Sequence, residues 1–251
     1  MKKILVSALA ILLMMPSCKK EDAKDPHNAI DLGLSVLWAE TNIGAQYDYQ
    51  FGWYANWGGE RAWSHFPYAW DHYQFCEANE DGSLNHITKY TNASSTVRLL
   101  SEDDTALKSW GKGWRMPTKE ECEELINSSV VSWHWVQTYQ INDEAPKRDE
   151  YFTDKVSGFM VTNDETGACI FLPAAMMRQN GSGFYHLTDT YYGYYWTKDL
   201  ATDDTEAYAM MIGRAINRDN PSNPVNIDTK AMKSYLRCYG LSIRPVKDKK
   251  K

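Results

Sequence analysis

Hydrophobic positions along the chain change period several times. Behind a basic Met1-Lys2-Lys3 start, Ile4 to Met15 is an apolar run interrupted only by Ser7, too short to cross a bilayer as a helix but matched to the core of a secretory signal. From Asp31 to Ala39, apolar residues alternate with small or polar ones, which predicts a strand. A helical period follows twice. Ser101-Glu102-Asp103-Asp104 places a capping serine and early acids before a helix running to about Trp110. Thr118-Lys119-Glu120-Glu121 is a capping box, with Thr118 as N-cap and Glu121 at the third helical position; behind it Cys122, Leu125 and Ile126 share one face. The remaining apolar clusters predict short strands at 159–162, 169–172, 192–197, 207–212, 235–239 and 241–246. Turn residues separate them, including Asn180-Gly181-Ser182-Gly183 and Asn220-Pro221-Ser222-Asn223-Pro224. No Pro- or Gly-rich linker divides the chain. The pattern predicts one α+β domain over 28–247, two helices packed on short irregular antiparallel strands, preceded by a signal peptide (1–17) and a charged tether (18–27) and followed by a basic tail (248–251).

Charge removes one class of partner. The formal net charge is −6, and loss of Lys2 and Lys3 with the signal takes it to −8; with no basic stripe besides the last residues, nucleic acid is not expected as a partner. Aromatic content is the unusual part of the composition: 10 Trp, 16 Tyr and 7 Phe supply more rings than a core of ordinary make-up needs. Many of them crowd the Gly-rich stretch between Trp53 and Trp70. Flat rings on a loop stack on sugar faces or anchor protein partners, so Trp63, Tyr68 and Trp70 are the ligand-binding candidates, while Trp53 and Trp57 are assigned to an irregular core.

Candidate chemistry is sparse. No two of His27, His65, His72, His86, His134 and His186 have the spacing that sets two ligands on one helical face, so no metal site or cofactor is expected. Asp203-Asp204, with Asp199 and Glu206 nearby, is an acidic loop of the kind that is most often simply solvated. Cys76, Cys122, Cys169 and Cys238 form no Cys-x-x-Cys pair, and their three possible pairings stay open beside buried free thiols. Trp114 and Trp196 fall at core positions, Thr118 at a helix cap, and Arg115 and Arg244 are assigned a structural role, gripping carboxylates or backbone carbonyls with their fixed forks of donors; Glu121 is a candidate partner.

The apolar run ends in Met15-Pro16-Ser17-Cys18, a small residue before a cysteine, which resembles the lipobox of bacterial lipoproteins. That resemblance implies that Cys18 becomes the acylated first residue of the mature chain. Further landmarks follow in order: Trp57-Gly58-Gly59-Glu60, Gly113-Trp114-Arg115-Met116-Pro117-Thr118, Ile170-Phe171-Leu172-Pro173-Ala174-Ala175, Gly193-Tyr194-Tyr195-Trp196-Thr197, Arg237, and Gly240-Leu241-Ser242-Ile243-Arg244-Pro245-Val246. Together they resemble the Fibrobacter succinogenes major paralogous (FISUMP) domain, found in surface lipoproteins of gut Bacteroidetes. The resemblance implies a C-type-lectin-like fold related to the formylglycine-generating enzymes. It also makes Lys20-Glu21-Asp22 look like the signal that sends lipoproteins of this phylum to the cell surface. The enzymes of that group depend on paired cysteines near the chain end, whereas this chain has Cys238 alone there. The expectation is therefore an outer-membrane lipoprotein, exposed at the cell surface, whose noncatalytic domain binds a glycan or a protein. A structural part in a surface assembly is the alternative, and an oxidoreductase the remote one.

Overall fold

The computed structural model describes residues 27–59, 67–94, 97–140, 155–179, 190–217 and 225–250. The signal, Cys18, Lys20-Glu21-Asp22, Trp63, His65 and His186 lie outside them.

Strands dominate. β1 (Ala29–Ile30), β2 (Val36–Ala39), β5 (Trp114–Arg115) and β12 (Val246–Asp248) form a sheet in the order β1-β2-β12-β5, which brings the two ends of the domain together. β3 (Cys76–Ala78) and β4 (Leu84–Ile87) form a hairpin. β6 (Val131–Gln140), β7 (Lys155–Asn163) and β8 (Cys169–Pro173) form a third sheet. β9 (Thr190–Leu200), β10 (Glu206–Asn217) and β11 (Val225–Leu236) form the fourth, in the order β11-β10-β9. Every strand pair within these sheets is antiparallel.

This corrects the expected α+β, C-type-lectin-like architecture. Only α2 (Lys119–Asn127) exceeds two turns among the described residues, since α1 (Thr105–Trp110) has six residues. Ser101 does not cap α1; it opens a separate 3₁₀ turn, Ser101–Asp103. The cap is Asp104, whose carboxylate accepts from the backbone N–H groups of Ala106, Leu107 and Met116. Gly111, at φ +84, ends the helix after its sixth residue. The strands are also longer than their apolar clusters suggest, because β10 and β11 continue in register through polar residues out to Asn217 and Val225.

The sheet of β9, β10 and β11 divides two cores. One face packs on an aromatic cluster that includes Trp57, Tyr73, Phe75, Tyr90 and Trp196. The other packs on an aliphatic cluster of Leu32, Leu34, Val36, Leu125, Val131, Val161, Ile170, Leu172, Met210 and Ile212, closed by α2 and the sheet of β6 to β8. Strand alternation makes the division: Tyr192, Tyr194 and Trp196 point one way, Tyr191, Gly193 and Tyr195 the other.

Candidate functional site

The residues that sequence reasoning assigned to structure are joined to their neighbours by hydrogen bonds and ring contacts. Arg115 donates to both Glu121 oxygens, Nη1 to Oε2 at 2.8 Å and Nη2 to Oε1 at 2.6 Å, and reaches Asp248 Oδ1 at 2.6 Å. Glu121 Oε2 also accepts from the Thr118 N–H at 2.8 Å, and Thr118 Oγ1 accepts from the Glu121 N–H at 3.2 Å, completing the capping box. One carboxylate thus serves a helix cap and a bidentate ion pair, and it holds the Arg115 guanidinium well above its ordinary pKa. Trp114 is buried with its ring edge-on to Trp110 at 5.1 Å.

Arg244 is fully buried, and its visible partners are an amide oxygen and carbonyls. Nε donates to Asn42 Oδ1 at 2.8 Å, Nη1 to the Ala39 and Glu40 carbonyls, and Nη2 to the Phe171 carbonyl at 2.7 Å. Arg237 works the same way on the aromatic side. It donates to the Tyr73 hydroxyl at 2.8 Å and to the carbonyls of Tyr90, Asp204 and Lys89 at 3.0, 2.8 and 2.9 Å, with its guanidinium 4.7 Å from the Trp57 ring centre. Trp196 is buried beside it, and its indole N–H donates to the Ala55 carbonyl at 2.8 Å. Between them these two arginines satisfy loop carbonyls at Glu40, Lys89, Tyr90 and Asp204 and strand carbonyls at Ala39 and Phe171.

The described residues of the expected ligand-binding loop are mostly buried. Tyr68 is 1% exposed and donates its hydroxyl to the Tyr54 carbonyl at 2.9 Å, so it offers no face to a ligand. Trp70 is half-buried, edge-on to Tyr73 at 5.8 Å and packed on the aromatic cluster. Trp63 lies outside the described residues.

The half-exposed rings gather instead where the aromatic face of the β9–β10–β11 sheet runs out from under its core. Tyr192, Tyr194 and Tyr235 are each half-buried there, beside Met211. Tyr192 stands opposite Gly213, and a Cβ on that glycine would fall 2.1 Å from the tyrosine ring, so the missing side chain is what lets the ring lie flat on the sheet. Tyr194 is 6.2 Å from Tyr192 and 5.1 Å, edge-on, from Tyr235, whose hydroxyl donates to Met211 Sδ at 3.2 Å. Burial pushes the Tyr194 phenol up to about 12 and Tyr235 higher still, so these hydroxyls stay protonated donors across the physiological range.

Beside this strip the backbone is strained. Met176 has φ +60, a region that side-chain-bearing residues seldom occupy, and its N–H is held by the Tyr192 carbonyl at 2.7 Å. The sequence signal for the strip is the strand period that sets Tyr192, Tyr194 and Trp196 on one face, and it is weak because Tyr191 and Tyr195 put rings on the other face too.

The other candidate chemistry is occupied locally. Asp203 accepts from the Thr205 N–H and hydroxyl, Asp204 from the Asn92 N–H, Glu206 from the Ser234 hydroxyl, and Asp199 from Arg98 and the Lys119 N–H. His72 Nδ1 lies 2.7 Å from Asp71. Among the described residues no three His, Cys, Asp or Glu side chains converge as metal ligands. Cys76, Cys122, Cys169 and Cys238 are free thiols, and burial raises those of Cys76, Cys122 and Cys238, the last to about 12. No described helix is long and apolar enough to cross a membrane. Compared with known proteins, the chain matches no family model, no curated protein and no solved structure.

Proposed function

We propose that this chain is a lipoprotein of the bacterial outer membrane, anchored through acylated Cys18 and displayed at the cell surface, whose domain binds a glycan or a protein without chemical turnover. The observation that carries the binding role is the strip of Tyr192, Tyr194 and Tyr235. Three half-buried phenols pack edge to flat on a rigid sheet, so little rotamer freedom is lost when a ligand covers them, and each hydroxyl gives direction to an otherwise apolar contact. Met211 adds an adaptable thioether. The strained Met176 peptide under Tyr192 fits a surface built for contact rather than for stability.

Two further features support the reading. The thiols pushed up by burial are poor nucleophiles, which weighs against cysteine chemistry. Order and spacing of the FISUMP-like segments, with the Met-Pro-Ser-Cys box and Lys20-Glu21-Asp22, favour a tethered surface module.

The test is a glycan array and a surface-protein pull-down with the mature chain, each repeated with Tyr192→Ala and Tyr194→Ala. Loss of the captured ligand with both variants, at an unchanged thermal midpoint, supports the site. Capture that survives both substitutions places recognition elsewhere. Radiolabelled palmitate incorporation that is lost in Cys18→Ala tests the anchor, and protection of the domain from protease on intact cells would contradict outward display.

A further inference from the structure

The long strands of the two larger sheets do not leave their outer edges in the same condition. β9 is covered: its backbone exchanges bonds with Met176, Ser242, Pro117, Val97 and Leu99, at 2.7 to 3.1 Å. β6 is interrupted, since its register slips between Val136 and Tyr139. A slip of that kind twists an edge and blunts it as a template. β11 has neither protection. It pairs with β10 through twelve consecutive positions without a shift, and among the described residues no backbone group of 226–235 bonds to any strand but β10. Among the described residues, nothing therefore bonds to the N–H and C=O groups on the side of this long, regular strand that faces away from β10.

The side chains along this edge specify what fits it. Asn226, Ile227, Asp228, Lys230 and Lys233 are exposed, and Ile227 keeps 47% of its surface. Two copies of one strand pair antiparallel about a two-fold axis normal to the sheet, which sets residues of like parity opposite each other. A register centred on Thr229 places Asp228 against Lys230 of the second copy, twice. The same register sets Thr229 against Thr229 and Ile227 against Ala231, both favourable cross-strand pairs. Registers centred on 228 or 230 oppose like charges at the axis, and one centred on 231 sets Lys230 against Met232 with no ion pair. Both charged groups are already oriented: Arg214 holds both Asp228 oxygens, and Lys230 Nζ sits 5.0 Å from the Trp133 ring centre.

We propose that β11 is a self-association edge, on which a second copy of this chain pairs antiparallel about Thr229 to continue the three-stranded sheet across the dimer. The inference is independent of the ligand reading, because it rests on the free backbone edge, Asp228, Thr229 and Lys230, none of which that reading uses.

The experiment is cross-linking of the mature chain in detergent and on intact cells, in a Cys169→Ser background that removes the exposed native thiol. With a short bismaleimide, Thr229→Cys should convert most of the chain to a species of twice its mass. Val225→Cys should not, because the proposed register holds its two copies about 27 Å apart. Lys230→Glu, with an unchanged near-ultraviolet spectrum, should raise the dimer dissociation constant at least tenfold in sedimentation equilibrium. A Thr229→Cys chain that stays monomeric overturns the proposal. So does equal cross-linking of Val225→Cys, a Thr229→Cys adduct with a different protein, or a dimer indifferent to Lys230→Glu.

Discussion

The two faces of the β9–β10–β11 sheet are held by different means. On the aliphatic face, Leu125, Val161, Ile170, Leu172, Met210 and Ile212 interlock between regular elements whose backbone groups are already paired by ladders and by α2. On the aromatic face, loops are tied to the sheet and to one another by buried side-chain donors: Arg237 takes the carbonyls of Lys89, Tyr90 and Asp204, Tyr73 that of Trp57, and Trp196 that of Ala55, while Trp57 reaches the Thr197 carbonyl of β9. Apolar packing loses little more than contact area and a cavity when one group is removed. A polar hub loses every partner at once.

Breaking the hub should therefore have the largest effect. Arg237→Met keeps most of the volume but takes the donor from the buried Tyr90 carbonyl, from the partly buried Lys89 and Asp204 carbonyls and from the Tyr73 hydroxyl, which keeps only its own bond to the Trp57 carbonyl, at a cost of about 4 kcal/mol. In a chain of this size the thermal midpoint should fall on the order of 10 °C. A midpoint within a few degrees of the parent would show that water can replace the guanidinium there. Leu125→Ala tests the other face, where a fully buried side chain leaves a cavity; about 3 kcal/mol is expected, less than for Arg237.

How far each face was legible in the sequence follows the same division. α2 was readable to the residue, since its cap, its charges and its Cys122–Leu125–Ile126 face are all local signals. β8, β9 and β10 were found near their apolar centres for the same reason. The α+β expectation failed because the polar halves of β10 and β11 carry no apolar period: their pairing is set by the partner strand, not by burial. β6 was missed although Val131, Trp133 and Trp135 alternate. Composition left open whether the rings before Trp70 turn inward, because the contacts that decide it for Tyr54, Trp57 and the backbone of Ala55 come from Arg178, Arg237 and Leu241, far along the chain.

The aromatic face should also respond to base more strongly than the aliphatic one, because it holds four raised phenols against one. Tyr73, Tyr90, Tyr194 and Tyr235 belong to the aromatic side, Tyr195 to the other, and burial raises all five above the ordinary 10.0. A phenol whose folded pKa is raised keeps its proton in the fold and loses it in the unfolded chain first. Stability contributed by these groups is thus fully present below pH 10 and falls as pH rises beyond it, by about 1.4 kcal/mol for each such phenol per pH unit until the folded pKa is reached. Beyond the absorbance contributed by exposed tyrosines, a step of tyrosinate absorbance from these five should appear together with loss of the fold. Ionisation that precedes unfolding would mean the rings are more open to water than their burial indicates.

The smallest of these effects falls on α2, and it separates two roles of one carboxylate. Thr118→Ala removes the acceptor for the Glu121 N–H but leaves the Arg115–Glu121 pair, so about 1 kcal/mol should be lost, and Thr118→Ser should recover most of it. Glu121→Gln is the companion. It keeps an oxygen for the Thr118 N–H while turning a charged bidentate grip on Arg115 into a single neutral bond, with Asp248 left as the carboxylate partner. If the cap is what matters, Glu121→Gln should be no worse than Thr118→Ala. If Arg115 needs Glu121 to tie β5 to the start of α2, Glu121→Gln should cost more, and combining it with Asp248→Asn should cost more than the two changes added separately. Urea midpoints of the five variants, Asp248→Asn alone included, decide between them, and that decision also says how much of the order at the junction of β5 and α2 comes from local capping and how much from the contact with Asp248.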